Sequence, residues 1–172
     1  IQDSLVGSEM CIRDRSMDTL AATKNHDFHA FTPTVSNVRP SSRGHVSIVD
    51  QDSRTYAKIK MNYLSTDEDR RIAAKGLKLT RKIILESETF KKYNPEEYRP
   101  GININDDEEL VKEASNYAQT IFHPVGTCKM GQDDMAVVDE KLRVKGIKNL
   151  RVIDASIMPN ITSGNTNAPT IM

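Results

Sequence analysis

Residues 45–63 read "HVSIVDQDSRTYAKIKMNY" and residues 65–90 read "STDEDRRIAAKGLKLTRKIILESETF". The first stretch alternates. Val46 and Ile48 fall on either side of Ser47, and Ala57, Ile59, Met61 and Tyr63 alternate with two lysines and Asn62. A period of two is what a strand with one buried face requires, and "DQDSRT" between the two runs has the composition of a connecting loop. The second stretch changes period. Ile72, Leu79, Ile83 and Phe90 return to one side of a helix, and Ser65 with Glu68 three residues on forms a capping box at its start. These two stretches predict paired antiparallel strands followed by a helix to about residue 90, so the fold class is α+β.

The pattern extends on both sides. Upstream, "HAFTPTVSNVRP" at 29–40 carries Phe31, Val35 and Val38 among threonines and ends at Pro40, which predicts a further strand stopping at the "PSSRG" turn. Downstream, "KKYNPEEYRPG" breaks the helix with Pro95, Pro100 and Gly101. A second helix is expected from Asp106, with Glu109 behind it. Leu110, Ala114, Tyr117 and Ile121 line its inner face, so that it runs into His123. "AVVDEKLRVKGIKNLRVID" at 136–154 has short β-rich runs between charged turns, with "LRVID" ending as a buried strand would. "ASIMPNITSGNTNAPTIM" then reads as a loop.

Composition excludes several classes. The 172 residues give room for one domain with a sizeable core. Lys plus Arg is 24 and Asp plus Glu is 24. A protein that works on phosphate backbones carries a basic excess, so nucleic acid is disfavoured. No apolar run approaches the ~20 residues that span a bilayer. The start has no secretory pattern, and two cysteines, Cys11 and Cys128, fit a reducing compartment rather than a disulfide framework. The expected location is cytoplasmic, with peripheral attachment to an inner membrane if the parent protein feeds a respiratory chain.

Residues 5–15, "LVGSEMCIRDR", resemble one translated frame of a transposase adapter used in preparing DNA sequencing libraries. The alternative is a short natural helix with Val6, Met10 and Ile12 on one face. On the adapter reading, residues 1–15 are not native and Cys11 leaves any redox or metal argument.

Chemistry concentrates in "FHPVGTCKMG", residues 122–131. A histidine in a tight loop can be a base, a metal ligand or a structural residue. Cys128 and Met130 lack the paired Cys/His spacing of a zinc site, and His26, His29 and His45 are remote in sequence, so no metal site is expected. Cys128 as a nucleophile needs an electropositive setting, of which Lys129 is the one hint. A small buried thiol is the simpler reading.

Taken together, "HPVGTCKMG", "VVDEKLRVKGIKNLRVIDASIMP" and "SGNTNAPTIM" resemble the C-terminal motifs of the glucose–methanol–choline (GMC) oxidoreductases, FAD enzymes that oxidise alcohols. "RPSSRGHVSI" and "NYLSTDEDRR" extend the resemblance upstream to about residue 26, and the motifs are nearest the choline dehydrogenase-like branch. The resemblance implies that His123 is the active-site histidine that takes the alcohol proton. It implies that Asn165 is the second polar residue, bonding the substrate oxygen. Asp154 and Ala155 fall in the segment beneath FAD, and Asn167 and Pro169 near its ring system. It further implies an α+β substrate-domain sheet with flanking helices over 26–121, and an active-site and FAD-domain return over 122–172, within a C-terminal domain of 16–172.

The implied roles make physical sense. Hydride leaves an alkoxide more readily than an alcohol, so a base near neutral pKa is wanted, and an amide can stabilise developing negative charge without titrating. Without the resemblance, Asn165 is equally a turn residue and Asp154 equally a cap. The eight glycines never form the G-x-G-x-x-G of a dinucleotide-binding unit, and the sequence stops at "PTIM", where the family continues into a helix. The expectation is therefore a C-terminal fragment, inactive alone, whose partners are an alcohol substrate and the N-terminal FAD-binding domain of the same polypeptide. The electron acceptor is not specified. The alternative is a stand-alone binding or structural module without chemistry.

Overall fold

A computed structural model describes residues 26–172; the adapter-like segment and Cys11 lie outside the described residues. In chain order the elements are β1 (His45–Ser47), β2 (Lys58–Lys60), α1 (Asp67–Arg81), α2 (Glu88–Lys91), α3 (Asp107–Ser115) and α4 (Asn167–Ile171). Helices and a two-stranded antiparallel sheet give an α+β architecture among the described residues. The chain divides into two units, each drawn from two stretches. One comprises Asp67–Ile121 with the described residues up to Asn37, and the other comprises Val38–Thr66 with Phe122–Met172.

In the first unit α1 starts at Asp67, one residue later than a Ser65 cap implies. Asp67, Glu68 and Asp69 occupy its first turn and Lys78 and Arg81 its last, the arrangement that complements the helix dipole. Ile72 and Ala74 are buried, as is Asp69, whose carboxylate accepts a hydrogen bond from Asn37 Nδ2 at 3.1 Å. A buried carboxylate is tolerable only when it is bonded in this way.

The single helix expected to residue 90 is interrupted. After Arg81 the backbone widens into a π-turn over Lys82–Glu86, Ser87 adopts an extended conformation, and α2 follows as one short turn. Ile83 and Ile84 are β-branched neighbours that crowd a regular helix, and serine leaves helical geometry easily. Leu79 and Ile83 consequently stay exposed, although the pattern places them inside.

Arg81 closes this unit. Its guanidinium grips Glu97 with two bonds, Nε to Oε2 at 2.7 Å and Nη2 to Oε1 at 2.9 Å, and also donates to the carbonyls of Ile104 and Gly101. Both side chains are mostly buried, at 13% and 10% exposure, so the bidentate geometry is needed to offset desolvation.

α3 begins as the sequence predicts. Asp106 is its N-cap and accepts from the backbone N–H groups of Glu108 and Glu109, both at 3.0 Å. Leu110 and Val111 are buried where α3 packs on α1. It does not reach His123, because it ends at Ser115. Ser115 Oγ donates to the Lys112 carbonyl and Asn116 Nδ2 to Glu113, side-chain bonds that compete with continued helix. Tyr117 and Ile121 therefore leave the helical face. Residues 29–40 form no strand ladder either. Pro33 removes a donor from the middle of the run, and Phe31 instead stacks on Phe90 with ring centroids 5.8 Å apart.

In the second unit β1 and β2 pair in the register His45↔Lys60, Val46↔Ile59 and Ser47↔Lys58. The alternation is as expected but the burial is not: Val46 is 48% and Ile59 64% exposed. Periodicity reports that a face is apolar, and a ribbon of two short strands has no second layer of its own to bury it.

Residues 130–151 form single bridges in place of strands, Met130 with Val138, Val138 with Val144, and Arg143 with Arg151. Val138 is fully buried at their centre. The run expected as a buried strand at 150–154 is one such bridge, and Ile153 is exposed. The left-handed backbone at Leu142, Gly146 and Asn149 turns the chain too often for a longer ladder. Two pieces of the expected C-terminal loop are helical: a 3₁₀ turn at Ala155–Ile157 and α4 at Asn167–Ile171.

Candidate active site

Loop 122–131 lies entirely in the second unit, and its shape follows from two residues. Phe122 and Gly126 both have positive φ, 63° and 90°. At Gly126 a Cβ would also stand 3.3 Å from the Met158 carbonyl, so the loop passes close to the 155–158 segment. Two backbone bonds hold it there, Cys128 N–H to Ser156 O at 3.0 Å and Met130 N–H to Ile157 O at 2.7 Å. "TCKM" and "ASIM", about 30 residues apart, are thereby laid side by side.

His123 is half-buried, and its Nδ1 lies 3.1 Å from Oγ1 of Thr166. Thr166 is 7% exposed and is the residue from which α4 starts. Its carbonyl accepts from Thr170 twice, from the backbone N–H at 3.1 Å and from the hydroxyl at 2.5 Å. Asn165 and Asn167, both exposed, flank this threonine, and Pro169 is half-buried within α4. The histidine is thus tied to the segment carrying Asn165, Asn167 and Pro169. Thr166 had no signal in the sequence beyond its place between two asparagines, since the bond that marks it spans 43 residues.

Asp154 caps the turn that Ala155 opens. Its Oδ1 accepts from Ser156 N–H at 2.7 Å, and the hydrogen bonds from Ser156 hold its carboxyl below the usual carboxylate range. The capping reading of Asp154 is therefore observed.

Cys128 is a free, half-buried thiol. The ammonium of Lys129 is engaged by both carboxylate oxygens of Asp133, at 2.8 and 2.9 Å, so its charge is already paired with a carboxylate. Among the described residues no group of three or more His, Cys, Asp or Glu could hold a metal ion. No helix among them is long and apolar enough to cross a membrane.

The site is braced by "RPSSRG". Arg39 Nε donates to Ser163 Oγ at 2.6 Å and Arg43 Nη2 to Asn160 Oδ1 at 2.5 Å, so both arginines meet the segment that leads to Asn165.

A sequence profile of the GMC oxidoreductases, in its C-terminal part, matches residues 40–172. The chain belongs to the GMC oxidoreductase family. Among its relatives, an oxygen-dependent choline dehydrogenase from Pseudomonas syringae pv. tomato is 45% identical over 150 residues, covering 87% of this chain and 26% of the relative. Among solved structures, pyridoxine 4-oxidase from Mesorbium loti superposes with a TM-score of 0.72 at 36% identity, over 78% of this chain and 26% of that one. The formate oxidase of Aspergillus oryzae, a protein with an FAD that undergoes modification, gives 0.71 at 32% identity, over 79% and 24%. This GMC chain therefore spans about a quarter of the length of the relatives it matches.

Proposed function

We propose that this chain supplies the proton-accepting side of an FAD-dependent alcohol dehydrogenase or oxidase acting on CH–OH groups. In this reading 122–172 is the active-site and FAD-facing return, and the residues before it contribute to the substrate domain. The observation that carries the proposal is the bond between His123 and the buried Thr166, which brings the histidine to the segment holding Asn165 and Asn167.

The residues present fit a flavin. Two exposed amides, Asn165 and Asn167, offer donors and acceptors to the polar edge of a ring system. Asp154, an exposed carboxylate with Ala155 beside it, would accept from a sugar-alcohol hydroxyl. Pro169 adds an apolar surface. When bound, FAD supplies the hydride acceptor that no side chain can provide. The chain's own part is acid–base and electrostatic. His123 takes the hydroxyl proton of the alcohol as the C–H bond weakens, and Asn165 donates through its amide to the oxygen where negative charge develops. An N-terminal FAD-binding domain of the same polypeptide completes the site. Choline and related small alcohols are the first substrates to test, because the chain is nearly half identical to choline dehydrogenases over its matched length.

In the full-length enzyme, His123→Ala should lower alcohol oxidation by about 10²–10⁴-fold with FAD still bound, the range typical of losing a general base. Turnover near the wild-type rate would remove His123 from this role. Asn165→Ala should slow flavin reduction by a smaller factor, and an unchanged rate would leave Asn165 as a turn residue.

A further inference from the structure

We infer that Thr166 is the positioning residue that selects the working tautomer of His123. The inference rests on the reading of His123 as proton acceptor and adds the residue that makes it competent. A neutral imidazole carries one N–H and one bare nitrogen, and only the bare one can accept a proton. His123 Nδ1 faces Thr166 Oγ1 at 3.1 Å, and the role that this hydroxyl takes, acceptor or donor, goes with which nitrogen is bare. When Oγ1 accepts from Nδ1–H, Nε2 is left free to take the alcohol proton. The opposite arrangement, with the hydroxyl donating to Nδ1, would leave Nε2 protonated and useless as a base.

Three features suit Thr166 to this task. It is 7% exposed, so water competes poorly for its hydroxyl. Its backbone is anchored by the two bonds from Thr170, which set where Oγ1 sits relative to loop 122–131. Its β-branch restricts χ1, which narrows the directions the oxygen can take. Once the proton has moved, the ring is cationic and both nitrogens carry hydrogen. The Nδ1–H···Oγ1 bond then becomes charge-assisted and steadies the product state.

The test uses the full-length flavoenzyme, labelled with ¹⁵N-histidine, as wild type, Thr166→Val and Thr166→Ser. Ring ¹⁵N shifts of His123 are read without substrate, and flavin reduction is followed against pH in single turnover with choline as probe. The wild type should show the Nδ1–H form. Thr166→Val should shift the ring toward Nε2–H and slow reduction about tenfold, whereas Thr166→Ser should keep the tautomer and stay within about threefold of wild type. A wild-type ring in the Nε2–H form overturns the inference without any variant, and so does an unchanged tautomer in Thr166→Val. A tautomer shift with an unaltered reduction rate upholds the positioning role and instead removes His123 as the base.

Discussion

Asp139 shows what a single carboxylate can organise in a stretch, residues 130–151, where single bridges stand in for strands. Its Oδ1 accepts from the backbone N–H groups of Lys141 and Arg143, and its Oδ2 accepts from Arg143 Nε at 2.8 Å. The Arg143 side-chain bond is the largest influence, and with the backbone bonds it holds the carboxyl at about 2. A folded value below the unfolded one means that this contribution is fully present above the ordinary carboxylate range, about 4, and is lost as pH falls through about 2. An NMR titration of the Asp139 carboxyl carbon should therefore have its midpoint near 2, and a midpoint near 4 would mean that the turn is open in solution. At this scale residue type was legible in advance and partnership was not. "DEKLR" is visibly a charged turn, and "HPVGT" visibly holds a histidine with chemical options. The partner of His123 is 43 residues away, and no local pattern announces it.

Among elements, starts were more legible than ends. A cap is a local device, and Asp106 does what the sequence predicts because its acceptor and the two N–H groups it serves lie within three residues. Helix ends depend on competing side-chain bonds and on crowding, which is why α3 stops at Ser115 and α1 gives way to a π-turn. The hairpin depends on a close approach that composition does not reveal. At Gly44 a Cβ would lie 2.1 Å from the Lys60 carbonyl and 2.6 Å from that of Met61, so any side chain meets backbone. Gly44→Ala should therefore open the β1–β2 pairing and cost about 1–3 kcal/mol, the range for overpacking. Hydrogen exchange at the amides of 45–47 and 58–60 measures this, and unchanged protection would show that the approach relaxes freely.

For the whole molecule, the 172-residue chain expressed alone should purify without flavin absorbance, because its eight glycines never form the G-x-G-x-x-G turn that receives a dinucleotide phosphate. A stoichiometric yellow complex would show that residues 26–172 hold the cofactor unaided. The amino-acid sequence by itself determined the family, through three ordered motifs, and the α+β class, through a change of period from two to 3.6. Both are properties of residues close together in the chain. Only the tertiary structure decided that "RPSSRG" meets the "NITSG" loop, that "TCKM" lies beside "ASIM", and that Thr166 holds His123. It also decided that the apolar faces of β1 and β2 stay exposed in this chain. The reason is physical: periodicity records which faces shed water, whereas packing and hydrogen bonding between distant segments choose what meets them.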